Sequence, residues 1–186
     1  VWILGAGGVW QWDGENLSFK VKNPTVYPAW AFYVLSTGEI WLGNPDLWRW
    51  DGHKWLKFVS FERRSYDNIW THGFVSWVHM FSETDGLAVV NLYDASRGMG
   101  EHVGTCFLRW NGENWHESPR LGGEWIRSMD VLSPSEGWAV GDNGTILHWD
   151  GREWSSVPCP TSATLLGIDM LSPSEGWAVG DLSLIH

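Results

Sequence analysis

Eleven residues, Leu-Ser-Pro-Ser-Glu-Gly-Trp-Ala-Val-Gly-Asp, occur twice without a difference, at Leu132 to Asp142 and at Leu171 to Asp181, an offset of 39 positions. A period of that length marks one supersecondary unit stacked on copies of itself, because a single unit cannot bury its own apolar surface. Most of the remaining chain falls into the same frame. Gly137 to Gly141 aligns with Gly86 to Val90, with Ile40 to Gly43 and with Trp2 to Gly5. A second anchor is an aromatic residue followed by Asp-Gly or Asn-Gly, at Trp12-Asp13-Gly14, Trp50-Asp51-Gly52, Trp110-Asn111-Gly112 and Trp149-Asp150-Gly151. The glycines of this anchor are 38, 60 and 39 apart, so one unit in the middle carries about 21 extra residues.

Each unit reads as four short antiparallel strands. Asp-Gly between two apolar runs is a strong hairpin signal, and a type I′ turn there needs positive φ at both central residues. Thr145 to Trp149 and Glu153 to Val157 are accordingly two strands joined by Asp150-Gly151. Ser133 to Gly137 is a second turn cluster, joining Ser128 to Leu132 with Trp138 to Gly141, and Asp142-Asn143-Gly144 is a third. Four strands and no helix in about 39 residues match one blade of a β-propeller. The expected fold is all-β, a propeller of four-stranded antiparallel blades. The expected core includes Leu87, Val89, Trp138, Val140, Ile146, Leu147, Trp149, Trp154, Ile168, Leu171, Trp177 and Val179.

With strands lettered A to D from the inside out, the chain opens at strand B of one blade. It runs through three whole blades and stops after strand B of a fifth. The expectation is one domain over residues 1–181, cut within a blade at both ends, with units near 1–28, 29–68, 69–120, 121–160 and 161–181. That is an incomplete ring of four to five blades from a larger propeller. Leu182 to His186 break the repeat, resemble one reading frame of a transposon-end adaptor used in sequencing libraries, and are set aside as a scar.

Composition narrows the partners. Twelve Lys and Arg stand against 22 Asp and Glu, a net charge of −10, which repels phosphate backbones and argues against nucleic acid. No run of 18 apolar residues exists, so no membrane-spanning helix is expected. Seventeen Trp are present, and most recur at fixed places in the unit, which assigns them to packing between blades. Two cysteines, Cys106 and Cys159, do not make a disulfide framework.

The run Gly141 to Gly151 followed by Trp154 resembles the repeat of photosystem II assembly-factor type propellers and their bacterial relatives, within the wider group that carries neuraminidase-type Asp-box repeats. The resemblance covers essentially all of Val1 to Asp181. It implies a propeller, and a function drawn from assembly factors, surface proteins and carbohydrate-active enzymes. The strict Asp-box, Ser-x-Asp-x-Gly-x-Thr-Trp, is replaced here by a shorter Trp-Asp-Gly-x-x-Trp at Trp50 to Trp55 and Trp149 to Trp154, which weakens any transfer of sialidase activity.

Catalytic constellations are poor. A sialidase needs clustered arginines, whereas Arg49 and Arg109 recur just before the blade-edge turn, a position expected to face solvent. Asp13, Asp51 and Asp150 read as turn residues. Asp130 and Asp169 read as hydrogen-bonded strand ends rather than channel-lining acids. His72, His79 and His102 match no metal-ligand spacing. Gly5 to Gly8 is a turn with no helix behind it to receive a phosphate. No cofactor, metal or catalytic residue is expected.

The extra residues are the informative departure. Trp55 to Met80 spans 25 positions, against 14 from Trp115 to Met129 and 16 from Trp154 to Met170. Val90 to Trp110 spans 20, against 8 from Gly141 to Trp149. The two insertions, around Phe61 to Gly73 and Asn91 to Gly104, belong to a D-to-A and a B-to-C connection, which leave a propeller on the same face. Loops displayed on a rigid scaffold carry function. The candidate binding residues are Arg63, Arg64, Tyr66 and Trp70 from the first insertion, with Tyr93, Arg97, Glu101 and His102 from the second, types that dominate interface hot spots. The expected function is a non-catalytic bacterial binding or scaffold module for a protein partner, outside the cytoplasm. The alternatives are a carbohydrate-binding propeller, using Trp70, Trp77 or Trp125, and a glycoside-hydrolase fragment.

Overall fold

Alternating apolar runs and glycine turns resolve into five antiparallel sheets. The computed structural model describes residues 1–5, 7–24, 29–61, 64–66, 69–95, 101–121, 124–181 and 184–185, and for 64–66, 69–70 and 184–185 the backbone alone. The first sheet contains β1 (Trp2–Gly5), β2 (Gly8–Trp12) and β3 (Leu17–Lys22). The second contains β4 (Ala31–Val34), β5 (Ile40–Gly43), β6 (Asp46–Trp50) and β7 (Trp55–Ser60). The third has five strands, β8 (Arg64–Tyr66), β9 (Ile69–Ser82), β10 (Asp85–Asp94), β11 (His102–Trp110) and β12 (Trp115–Glu117). The fourth has β13 (Ile126–Ser133), β14 (Glu136–Gly141), β15 (Ile146–Trp149) and β16 (Trp154–Ser156). The fifth has β17 (Leu165–Ser172), β18 (Glu175–Gly180) and β19 (Leu184–Ile185). Strands pair in chain order throughout, and the first full-length strands of neighbouring sheets approach one another, β4 against β9, β9 against β13 and β13 against β17. These are the inner strands of propeller blades arranged in an open arc.

The core lies between the sheets rather than within them. Between the second and third blades, Trp41, Phe58, Trp110 and Trp115 pack in edge-to-face and tilted pairs with ring centroids 5.0 to 5.5 Å apart. Between the third and fourth, Phe107 stacks on Trp154 at 4.4 Å within a cluster that includes Leu87, Val89, Leu147 and Trp149. Leu87, Val89, Val140, Leu147 and Trp149 are buried as expected, and Trp138, Ile146, Trp154 and Ile168 are partly so. Leu171, Trp177 and Val179 are not core. They are 63, 39 and 48% exposed, because the fifth sheet has a neighbour on one face only. Ile3, Leu17 and Phe19 of the first sheet are exposed for the same reason.

The Asp-Gly corners differ from the expected type I′ turn. Among the described residues only Asn143 has positive φ without being glycine, at 54°, beside Gly144 at 70°. The paired positive-φ geometry therefore sits in the short 3-10 turn Asp142–Gly144. At the corners, four residues link the flanking tryptophans, which face each other as Trp50 and Trp55 or Trp149 and Trp154. Asp51 Oδ1 accepts the N–H groups of His53 and Lys54, both at 2.9 Å, and only Gly52, at φ 95°, is left-handed. Asp13 and Asp150 repeat the arrangement, and Asn111 does so with an amide oxygen. A side-chain acceptor thus replaces the second strained residue.

These backbone hydrogen bonds hold the carboxyls of Asp13, Asp51 and Asp150 below the ordinary carboxylate range. A folded-state pKa below the unfolded one gives stabilisation that is present above the unfolded value, about 3.9. It is lost as pH falls through the folded value. Asp150→Ala should lower the melting temperature at pH 7, whereas Asp150→Asn, which keeps the acceptor as Asn111 does in the third blade but not the charge, should lose less and lack this pH dependence. Thermal melts of both variants at pH 7 and below pH 4 check this, and an equal loss for Ala and Asn at pH 7 would contradict it. The exposed apolar faces of the first and fifth sheets predict a second result. Light scattering on the 21.1 kDa chain should report concentration-dependent association, and a monomer at all concentrations would count against it.

Candidate functional site

The described residues of the two insertions lie mostly in strands rather than in loops. β9 runs 14 residues and β10 ten, against four for their counterparts β4 and β5. Thr71 on β9 pairs with Arg64 on β8 and with Asp94 on β10, so the two insertions meet on one extended sheet. Of the expected binding residues, Arg64, Tyr66 and Trp70 lie in β8 and the start of β9. Arg63 and Arg97 lie outside the described residues. Glu101 is exposed and closes the base of the second hairpin, its carbonyl accepting the Asp94 N–H at 2.9 Å. Tyr93, chosen as a contact residue, is buried to 7% exposure, and burial pushes its hydroxyl up to about 12.

What buries Tyr93 is an aromatic surface that crosses three blades. Trp30, just before β4, stacks on Phe74 of β9 at 5.2 Å and 16°. His102, at the start of β11, stacks on Trp125, just before β13, at 5.9 Å and 15°. Tyr93 stands edge-on between these two stacked pairs, at 75° to Phe74 and 88° to Trp125. Arg127 covers Trp125 with its guanidinium carbon 4.1 Å from the ring, and is itself held by two hydrogen bonds to Asp142 at 2.7 and 3.0 Å. Trp30 is 56% exposed and Arg127 is exposed, while Phe74, His102 and Trp125 are partly so. The rings therefore form a pre-ordered platform with a cation at one end, at the same end of the sheets as both insertions.

A polar layer fixes the platform from beneath. Asn91 Nδ2 donates to Ser76 Oγ at 2.9 Å, and Thr105 Oγ1 donates to Asn91 Oδ1 at 2.9 Å. Asn143 Nδ2 donates to Glu124 at 2.7 Å beside Trp125. Gly141 is required here, because a Cβ would lie 2.1 Å from the Trp125 carbonyl, and Gly180 meets the Thr164 carbonyl equally closely in the next blade. Trp30, Phe74 and Arg127 escaped sequence reading. The usable signal was position, since Trp30 and Trp125 each stand immediately before an inner strand.

At the other end of the sheets a charge pair recurs in register. Glu39 accepts from the Trp41 indole and from Arg49, Asp85 pairs with Arg109, and Glu136 accepts from the Trp138 indole while facing His148 at 2.8 Å. Arg49 and Arg109 are thus not solvent-facing. Their side chains are 24 and 30% exposed, and Arg109 also reaches the Pro134 carbonyl of the next blade. Each arginine belongs to its own blade, so they form no shared anion pocket.

The inner wall carries one register position from each of four blades, Tyr33, His79, Asp130 and Asp169. Asp130 Oδ2 accepts the Met170 N–H of the next inner strand at 2.7 Å, a structural bond between blades. Asp169 is exposed. His79 packs on Tyr33 at 4.6 Å and stacks on Trp77 at 5.6 Å. Among the described residues no group of three or more His, Cys, Asp or Glu is placed to hold a metal ion, and Cys106 and Cys159 are free thiols.

Burial lowers the pKa of His79, against the opposing pull of Asp130. The unfolded chain therefore takes up this proton first, so stability is full above about pH 6.5 and falls as pH drops below it. Melting temperature should decline from pH 7.5 to 5.5, and His79→Gln should flatten that decline. An unchanged pH slope in the variant would show that other groups cause it.

Comparison with protein-family models and with curated proteins finds no match. Solved structures do match. YCF48 bound to a D1 peptide superposes with a TM-score of 0.60 at 16% identity over 96% of this chain and 57% of that one. YCF48 from Cyanidioschyzon merolae gives 0.60 at 14%, over 96% and 62%. The extracellular domain of BT4673 from B. thetaiotaomicron gives 0.62 at 13%, over 98% and 25%. The chain spans less than two thirds of each. At these identities the likeness is one of fold alone, that of a β-propeller.

Proposed function

We propose that residues 1–181 form a non-catalytic propeller domain that recognises a protein partner, through the face on which the insertions and the aromatic platform lie. The observation that carries this reading is the pair of stacked rings, Trp30 on Phe74 and His102 on Trp125, locked around Tyr93 with Arg127 at the edge. Rigid Trp, Tyr and Arg side chains give contact area at little cost in conformational entropy, which is how interface hot spots are built. Glu101 and the backbone positions of Arg64, Tyr66 and Trp70 lie along the built-out third sheet, and Arg63 and Arg97 are proposed as further contact residues on the strength of their type. The peptide held by YCF48 supports protein as the ligand class, and the extracellular setting of the BT4673 domain supports a place outside the cytoplasm.

A double variant, Trp30→Ala with Trp125→Ala, should lose the partners that the parent chain captures and that mass spectrometry identifies. Leu17→Ala, on the exposed first sheet, should retain them. A drop in affinity of at least tenfold is expected, with β-sheet circular dichroism unchanged. Partner binding undiminished in the double variant would overturn the assignment. Saturable binding to a glycan array, lost in the double variant, would replace it with the carbohydrate reading.

A further inference from the structure

Two blade junctions of this chain pose the same packing problem and answer it differently. Trp55 and Trp154 occupy the same place after the blade-edge turn. Between the first and second blades, β3 runs six residues to Lys22, whose carbonyl accepts the Trp55 indole N–H at 2.9 Å. Between the third and fourth, β12 stops after three residues at Glu117. Ser118 turns its hydroxyl onto the Phe107 N–H at 3.1 Å, Pro119 has no N–H to continue the ladder, and the strand partner resumes only at Leu121. The result is an open groove of about 370 Å³, with Leu87, Phe107, Leu121, Trp149 and Trp154 among its lining residues. The indole N–H of Trp154 is buried and has no hydrogen-bond partner among the described residues. The Trp115 indole is also without a partner, but there β7 runs its full six residues and Phe58 fills the space against Trp110.

We infer that this groove docks an extended peptide segment of a partner, one apolar side chain entering between Phe107 and Leu121 and one backbone carbonyl accepting the Trp154 indole N–H. The first junction shows that an extended strand meets both requirements, because there β3 supplies the carbonyl and buries Val21 to 8% exposure. A buried donor without an acceptor is costly, and at Trp154, unlike Trp115, the groove leaves open space in which an acceptor can reach it. The volume is that of a ligand site rather than a packing defect. Glu117, Glu153, His116 and Arg152 line the groove together with Arg109, whose guanidinium Asp85 already engages, so on a chain of net charge −10 a lysine or arginine beside the apolar residue complements it. This site lies at the outer flank of the blades and is independent of the aromatic platform.

The probe is a terminally blocked heptapeptide copying Leu17 to Asn23, titrated into the full chain. The site is read from the ¹⁵N-indole NMR signal of Trp154, assigned by its loss in Trp154→Phe, and the affinities of parent and variants are measured by isothermal titration calorimetry. A saturable displacement of that signal is expected, absent for the same peptide with Ser at its Phe and Val positions. Trp154→Phe keeps the ring on Phe107 and removes the donor, and should bind roughly three- to tenfold more weakly, the loss of one hydrogen bond. Leu121→Trp fills the groove and should abolish binding, which keeps the test intact if Trp154→Phe folds poorly. Trp30→Ala should bind as the parent does; a loss there would place the peptide on the platform and overturn the groove. No saturable displacement at millimolar peptide, or equal affinity for Trp154→Phe, would also overturn it. So would displacement by indole or hexanoate where the peptide gives none.

Discussion

A sheet three or four strands wide and four to six residues deep has two apolar faces and no means of covering either. Everything else in this chain follows from that. Burial must come from the next sheet, so the large side chains stand on the blade faces, and rings such as Trp41 with Trp110 and Phe107 with Trp154 meet across blades. Aromatic rings suit the task because one residue spans the gap of about 10 Å between stacked sheets and still gains from edge-on contact. The same dependence explains why equivalent residues differ in burial. Val89 and Val140 are fully buried, while Val179, in the same strand position, is 48% exposed.

Polar groups then have to be placed where this packing leaves room. At one end of the blades, an acid at or before the start of strand B meets a basic side chain on strand C in three successive sheets, as Glu39 with Arg49, Asp85 with Arg109 and Glu136 with His148. Each pair sits beside an aromatic ring and is screened on one side, so it fixes strand register more than it adds stability. In the third blade Leu87 replaces the indole that accompanies the other two acids. There burial raises the pKa of Asp85 despite Arg109. At the opposite end, the polar side chain five positions after the first glycine of strand B returns to strand A of its own blade, Asn91 to Ser76 and Asp142 to Arg127.

Most of the architecture was legible because the repeat is written in local chemistry. The 39-residue offset, the glycine corners and the recurring tryptophans each report on one blade, and together they give strand number and order. The corner conformation was misread because Asp-Gly has two solutions, and sequence does not say whether the carboxylate will take over part of the turn. Burial in the fifth sheet was misread because it depends on a neighbour, not on the residues themselves. The platform was only partly legible. Tyr93 and His102 were chosen for their type, but Trp30 and Phe74 meet across a blade boundary, and no spacing within the chain announces that contact. The insertions were located correctly and misjudged as loops, since the length of a connection does not reveal whether its residues will continue the ladder.

That last distinction reaches into kinetics. On the proposed reading, a partner surface mounted on β9 and β10, paired to each other down to Thr71 and Asp94, does not have to search for its shape when a ligand arrives. Encounter is then limited by orientation, with association rates of about 10⁵–10⁷ M⁻¹s⁻¹ for ordinary rigid docking. Ligands of different quality would separate by how long they stay rather than by how quickly they arrive. Lengthening the two strands, where a loop would have sufficed, exchanges breadth of recognition for residence time.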